Sequence, residues 1–179
     1  MANSSKIRVG IVGANPSRGF ASIAHIPALK ALPEFEVAAV CTTRQDSAEA
    51  AARHYGVPLA FCDAEKLIRH SDVDLVTVSV KVPDHYLPVM AAIDAGKHVY
   101  CEWPLGRNTD EAARMLDAVQ RKGIRHAVGL QGQVSPGICY AKDLIADGYV
   151  GRVLSATMIG CAPNWGPTID RAYQADHAN

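Results

Sequence analysis

The residues best suited to chemistry in this chain fall in short clusters, and the first is the turn Gly13-x-Asn15-x-x-x-Gly19. It follows the apolar, β-branched run Ile7, Val9, Ile11 and Val12 and precedes Phe20 to Leu32, where alanines and apolar residues recur at helical spacing. Strand, glycine-rich turn and helix together make phosphate-binding geometry. Backbone N–H groups and the positive end of the helix dipole converge at the turn, and glycine lets the backbone approach a pyrophosphate closely. The usual dinucleotide pattern is Gly-x-Gly-x-x-Gly. Here the middle glycine is Asn15 and one residue is added, and Asn is the non-glycine residue that best tolerates left-handed backbone angles. Taken alone, the pattern also suits a strand-to-helix turn that binds no nucleotide.

Further clusters lie where strands end, which is where open α/β sheets bind ligands. Thr42-Thr43-Arg44 stands where an NAD-binding protein usually carries an acid for the ribose 2′-hydroxyl. Two hydroxyls and a guanidinium suit a 2′-phosphate instead; the alternative is a helix-capping loop with a solvated arginine. Lys81-Val82-Pro83-Asp84-His85 follows the fourth strand, and His85 reads either as a packing or capping histidine or as a site residue. Glu102-Trp103-Pro104 and Leu130-Gln131-Gly132 follow the last two. A carboxylate at a strand tip is often a cap, yet Glu followed by an aromatic and a proline is unusual for a plain loop.

These clusters require a frame of alternating strands and helices. Phe35 to Cys41 predicts a second strand, and Asp46 with Glu49 a capping box opening a helix that Gly56 closes. Pro58 to Phe61 predicts a short strand, Ala64 to His70 a short helix, and Asp74 to Val80 a central parallel strand. Pro83 opens a helix through Ala95 with Gly96 past its end; His98 to Cys101 is a strand. Asn108 and Glu111 cap a helix carrying the stripe Ala112, Met115, Leu116 and Val119, and Ile124 to Leu130 returns as a strand. Strands and helices at this spacing imply an α/β fold, a doubly wound parallel sheet with right-handed crossovers. Ser135 and Pro136 begin one more helix, ending at Gly148, and Arg152 to Gly160 alternates like a half-buried antiparallel strand. The expected organisation is a dinucleotide-binding domain over residues 1–150 and the beginning of a second α/β domain over residues 151–179.

Bulk properties narrow the class. The chain has 179 residues, 49% of them apolar, enough for a core of its own. Eighteen basic residues balance eighteen acidic ones with no run of like charge, so neither nucleic-acid nor membrane-surface binding is expected. The five cysteines, Cys41, Cys62, Cys101, Cys139 and Cys161, are odd in number and widely spaced, as for reduced thiols in a cytoplasmic protein. No metal site is expected, because no cysteines or histidines recur at ligand spacing.

The segment His98-Val-Tyr-Cys-Glu102-Trp103-Pro104-Leu105 resembles the Glu-Lys-Pro segment of the glucose–fructose oxidoreductase/inositol dehydrogenase family (Gfo/Idh/MocA). Asp94 to Lys97, Val9 to Gly13, His25-Ile-Pro27-Ala28-Leu29, the Pro83 and His85 pair, and Gly148-Tyr-Val-Gly151 fall in the family's order. The resemblance implies an NAD(P)-binding Rossmann domain followed by a mixed α/β domain that forms a dimer face and completes the substrate site. It implies Gly13, Asn15, Ser17, Arg18 and Gly19 at the pyrophosphate and Thr42, Thr43 and Arg44 at the adenosine ribose. It further implies Lys81, Val82, Pro83 and His85 near the adenosine and its ribose, Glu102 at the nicotinamide ribose, and Trp103 and Gln131 beside the nicotinamide.

Two departures from the family pattern bear on function. The family's lysine, implied to assist hydride transfer, is Trp103 here, and tryptophan cannot exchange a proton in that way; no catalytic residue is assigned. Family members are also longer, so the domain with the family's catalytic histidine is absent or only begun. The glycine turn, the Glu102-Trp103 pair and Leu130-Gln131-Gly132 are similar to a subgroup that includes the fungal galactose-pathway repressor. The reading is the nucleotide-binding half of an oxidoreductase acting on a sugar, polyol or related carbonyl, with NADP favoured over NAD and a homo-oligomer expected at full length. The alternative is a dinucleotide-dependent regulator without chemistry.

Overall fold

A computed structural model of the chain describes residues 6–159. It divides into two compact units, Met1–Gly129 and Leu130–Asn179. In the first, six strands form one sheet: β1 (Ile7–Val12), β2 (Phe35–Cys41), β3 (Leu59–Phe61), β4 (Leu75–Val78), β5 (His98–Glu102) and β6 (His126–Gly129). All pair in parallel, in the order β3-β2-β1-β4-β5-β6. The order reverses between β1 and β4, and that switch point is where a Rossmann sheet opens a crevice for a dinucleotide.

The helices α1 (Ile26–Ala31), α2 (Gln45–Tyr55), α3 (Ala64–Ile68), α4 (Tyr86–Asp94) and α5 (Thr109–Lys122) cover both faces. Alternation along β1 shows how. Val9 and Ile11 pack with Ile26 of α1 and with Ala51, Ala52 and Tyr55 of α2. Val12 joins Val76 and Val78 of β4 in the opposite cluster, with Leu67, Ile93 and Met115 from α3, α4 and α5. A strand covered on both faces has no polar face to show, which is why these strands read as continuous apolar runs. Val9 and Ile11 are fully buried, and burial of such a side chain contributes ~1.5–3 kcal/mol.

Four local expectations need correction. The helix predicted over Phe20 to Leu32 begins as a π turn, Ala21–His25, in which Ile26 N–H bonds Ala21 O, before α1 proper. Pro27 at the start of α1 has no N–H to give and its ring crowds the preceding turn, so the widened turn accommodates it. The capping box at Asp46 and Glu49 does not form: α2 starts at Gln45 with Arg44 as N-cap. Asp46 instead accepts from Arg44 Nε at 3.1 Å and Ser47 N at 2.8 Å, and Glu49 accepts from Gln45 at 3.0 Å. Leu116, expected in the apolar stripe of α5, is 48% exposed; Ala118 takes the buried position because the helix turns 100° per residue. Residues 152–159 are exposed and form no strand among the described residues, since an antiparallel strand needs a partner to exist; Gly160 and Cys161 to Asn179 lie outside the described residues.

Other expectations are met. Asn108 Oδ1 caps α5 through Glu111 N at 2.9 Å, and Gly123 ends it in a left-handed conformation. Cys41, Cys62, Cys101 and Cys139 are free thiols. Burial pushes the thiols of Cys41 and Cys101 up to about 12, so both stay protonated and inert. Among the described residues no helix is long and apolar enough to cross a membrane. The second unit holds a 3-10 turn, Gln131–Val134, and α6 (Pro136–Ala146).

Candidate dinucleotide site

Strand register brings most of the predicted site residues of the first unit to one edge. Val12 of β1 lies level with Cys41 of β2 and Val78 of β4, and Val78 lies level with Cys101 of β5. The residues just beyond these positions, Gly13, Thr42, Ser79 and Glu102, therefore line up across the carboxyl edge, with the switch point between Gly13 and Ser79.

The glycine turn is built tightly. Gly13 N and Ala14 N both donate to Cys41 O, at 3.0 and 3.1 Å, which swings the chain over the tip of β2. Gly13 has φ +99°, and a Cβ there would meet Ser79 O at 2.2 Å, so no other residue fits. Asn15 does not use the left-handed backbone expected of it, since no non-glycine residue among those described has positive φ. Its side chain does the work: Oδ1 accepts from Ser17 N and Ser17 Oγ, both at 2.9 Å, and folds the loop back on itself as an Asx turn. Arg18 and Gly19 stand exposed at the crest.

At the tip of β2, the Thr42 hydroxyl is held by Ser47 Oγ at 2.6 Å and donates to Arg44 O at 3.1 Å. Thr43 is exposed, and the Arg44 guanidinium is 73% exposed beside Asp46. Hydrogen bonds from Ser47 N and then Arg44 hold the Asp46 carboxyl below its ordinary range.

Past β4, Lys81 is exposed and Val82 and Pro83 form a 3-10 turn. His85 is buried, with Nδ1 at 3.0 Å from Pro104 O and Nε2 at 3.1 Å from Val80 O. Those contacts put the ring between the loops after β4 and β5, bracing both, rather than on an open surface. Past β5, Glu102 is largely buried while Trp103 is 64% exposed and leads into a cis bond to Pro104. Gln131 is exposed at the start of the 3-10 turn in the second unit.

The structure adds three residues that the sequence reading did not assign. His25, the last residue of the π turn, places Nε2 2.7 Å from Glu102 Oε1. Tyr100 packs edge-on against the His25 ring at 5.2 Å. Gly129 lies beneath both, where a Cβ would come within 2.9 Å of Glu102 Oε1 and of the Tyr100 hydroxyl. One signal was readable: Tyr100 and Glu102 are two apart on a strand and share a face. The approach of His25 from another element was not.

These residues fit a dinucleotide. A turn that admits no Cβ, an exposed loop carrying Ser17 and Arg18, and a largely buried carboxylate two strands away are what a pyrophosphate and a second ribose require. Fold and site thus define an NAD(P)-binding Rossmann domain.

Residues 7–130 match the model of the oxidoreductase family with NAD-binding Rossmann fold (Gfo/Idh/MocA), and the chain belongs to that family. It is 37% identical over 163 residues to the dehydrogenase aclE of Aspergillus oryzae, covering 87% of this chain and 44% of that protein. It is 30% identical over 167 residues to the galactose/lactose metabolism regulatory protein of Saccharomyces cerevisiae, covering 88% of this chain and 38% of that protein. Among solved structures, a 3-ketoreductase of Actinomadura kijaniata in complex with TDP-benzene and NADP superimposes with a TM-score of 0.76 at 28% identity, covering 83% of this chain and 46% of that one. The chain thus spans less than half the length of the relatives it matches.

Proposed function

We infer that this chain is the nucleotide-binding part of an NAD(P)-dependent oxidoreductase that moves a hydride between the cofactor and a sugar, polyol or related carbonyl compound. The observation that carries the reading is the alignment of Gly13, Thr42, Ser79 and Glu102 along one sheet edge at the switch point. The glycine turn with Ser17 and Arg18 holds the pyrophosphate, the bound cofactor supplies the hydride, and Glu102 accepts from the second ribose. Residues from 151 onward begin a substrate and dimerisation domain, and the longer protein is a homo-oligomer.

NADP is the preferred cofactor, because Thr42, Thr43 and Arg44 replace the acid that holds a free 2′-hydroxyl, and a guanidinium pairs with phosphate. Support also comes from the ketoreductase relative, whose structure holds NADP. Isothermal titration with NADP and NAD tests this. Tighter binding of NADP, with the preference lost in Arg44→Ala, is the expected result; equal affinities refute it.

Trp103 favours a second reading, a cofactor-dependent regulator, since it stands where the family's proton-handling lysine is implied and one relative is a regulatory protein. Tryptophan offers an apolar face and one N–H donor, suited to stacking and water exclusion. In a full-length protein, Trp103→Lys changes kcat if the protein is an enzyme and changes only cofactor affinity if it is a sensor.

A further inference from the structure

Away from the cofactor edge, the flank of α5 beside β6 presents apolar surface that the first unit leaves uncovered. β6 ends the sheet, with no strand on its outer side among the described residues, and His126 and Ala127 are exposed. Between β6 and α5 runs a groove of about 430 Å³ floored by Val99, Cys101, Met115, Val119 and Val128. Leu116, the member of the apolar stripe that does not turn inward, lines this groove and is 48% exposed. Thr109, Ala113 and Gln120 continue the same strip of α5, all exposed and all uncharged. Apolar surface that runs unbroken from an exposed rim to a buried floor marks a place of contact.

The charges beside this strip say what covers it. Asp110, Arg114, Asp117 and Arg121 form an exposed row that alternates in sign. An acid in the first turn and a base in the last suit the helix dipole, but Arg114 and Asp117 between them reverse that order, so the dipole alone does not account for the row. Arg121 meets Asp117 within the helix. The row is also complementary to itself when reversed. If a second α5 lies antiparallel about a two-fold axis between Met115 and Leu116, Asp110 comes level with Arg121 of the second copy and Arg114 with its Asp117. Leu116 then comes level with Met115 of the second copy, on the floor of the groove. Paired in parallel and in register, each charge would instead face its like.

We propose that α5 is an interface between two copies of this chain, packed antiparallel about that axis, with Leu116 of each copy seated in the groove of the other. A two-fold contact uses the same surface twice, so each complementary pair of charges occurs twice, and antiparallel helices also set opposite dipole ends side by side. The contact is small: the 14 residues of α5 span ~21 Å. That places it at the weak, reversible end of protein interfaces, with a dissociation constant on the order of 10 µM. It is separate from the dimerisation domain proposed to begin at residue 151 and does not rest on the dinucleotide reading.

Sedimentation velocity over a concentration series tests the assignment. The expected result is a reversible shift from the 19.1 kDa chain to a species of twice that mass. Leu116→Glu should weaken association at least about tenfold, as for a residue central to an interface, with an unchanged circular dichroism spectrum. Arg121→Asp should weaken it about fivefold. Asp110→Arg combined with Arg121→Asp exchanges the two signs and should restore wild-type association to within about threefold. A chain that stays monomeric at every concentration overturns the proposal, and a double variant no better than Arg121→Asp overturns the antiparallel register. Leu154→Glu, in the exposed segment 152–159, is the control and should change nothing; association abolished by Leu154→Glu but not by Leu116→Glu shows that the copies meet elsewhere and overturns it too. If Leu116→Glu does not fold, Ala113→Arg on the same strip must give the same weakening, and a dimer indifferent to it refutes the interface.

Discussion

Replacing Gly13 with alanine measures how much of this fold depends on the close approach of β1 to β4. The added Cβ would sit 2.2 Å from Ser79 O, 2.8 Å from Ser79 C and 2.9 Å from Val80 Cγ1. An ordinary carbon–oxygen contact is about 3.3 Å, so the tip of β1 or β4 must move by about 1 Å. Three costs follow. Holding alanine at φ +99° costs ~1–3 kcal/mol. Disturbing the Ser79 N to Val12 O bond of 2.9 Å costs ~1 kcal/mol, and overpacking between two backbones adds ~1–3 kcal/mol. The total, about 3–7 kcal/mol, is a large part of the ~5–15 kcal/mol of a typical domain. Gly19→Ala is the control. Gly19 has φ +96° but nothing within 4 Å of its Cβ position, so only the backbone term of ~1–3 kcal/mol applies. Urea denaturation followed by circular dichroism should place Gly13→Ala at least ~2 kcal/mol below Gly19→Ala, and thermal melting ~4–8 °C lower. Equal stability of the two variants would refute the claim that the backbone contact, rather than dihedral angle, makes Gly13 obligatory.

Asp46→Asn removes the carboxylate that engages the exposed Arg44 guanidinium, and because such exposed pairs are weak, NADP affinity should rise by no more than about fivefold; titration showing no gain would argue that Arg44 does not face the 2′-phosphate. The Arg8 guanidinium, hydrogen-bonded at 2.8 and 2.9 Å, holds the Asp74 carboxyl at about 2, down from 3.8. At face value that shift is ~2.4 kcal/mol, reduced to ~1 kcal/mol for a side chain that is 37% exposed. Because the folded value is depressed, the stabilisation is present above the unfolded value and is lost as pH falls from about 4 through 2. Asp74→Asn should therefore cost ~1 kcal/mol at pH 7 and flatten the acid limb of the stability curve in that window; an unchanged acid limb contradicts it. His85→Ala, which removes the brace between Val80 and Pro104, should destabilise by ~2–4 kcal/mol as read by urea denaturation, and a loss below ~0.5 kcal/mol would show that the ring does not join the two loops.

Much of this protein was determined by its sequence. The buried runs of β1 and β4 and the helices between strands left one economical arrangement, a parallel sheet covered on both faces, because each element had an apolar surface to hide and crossovers of one hand to use. Gly13, Asn15, Thr42 to Arg44 and Glu102 were also readable, since each stands where a strand ends and ligands of such sheets bind there. Tertiary structure decided what those residues do to one another. Asn15 was legible as a turn residue, but whether it would contribute its backbone or its side chain depended on how Gly13 and Ala14 were drawn to the Cys41 carbonyl. Asp46 had the spacing of a cap, and the neighbouring Arg44 took its carboxylate instead. The alternation of residues 152–159 resembled a strand, yet a strand exists only against a partner. His25 lies far from Glu102 in sequence, and only register across the sheet and a π turn ending at His25 bring the two within 2.7 Å. Local spacing records which face a residue takes; contact between distant elements is set by packing, where each side chain meets whatever the other elements leave open.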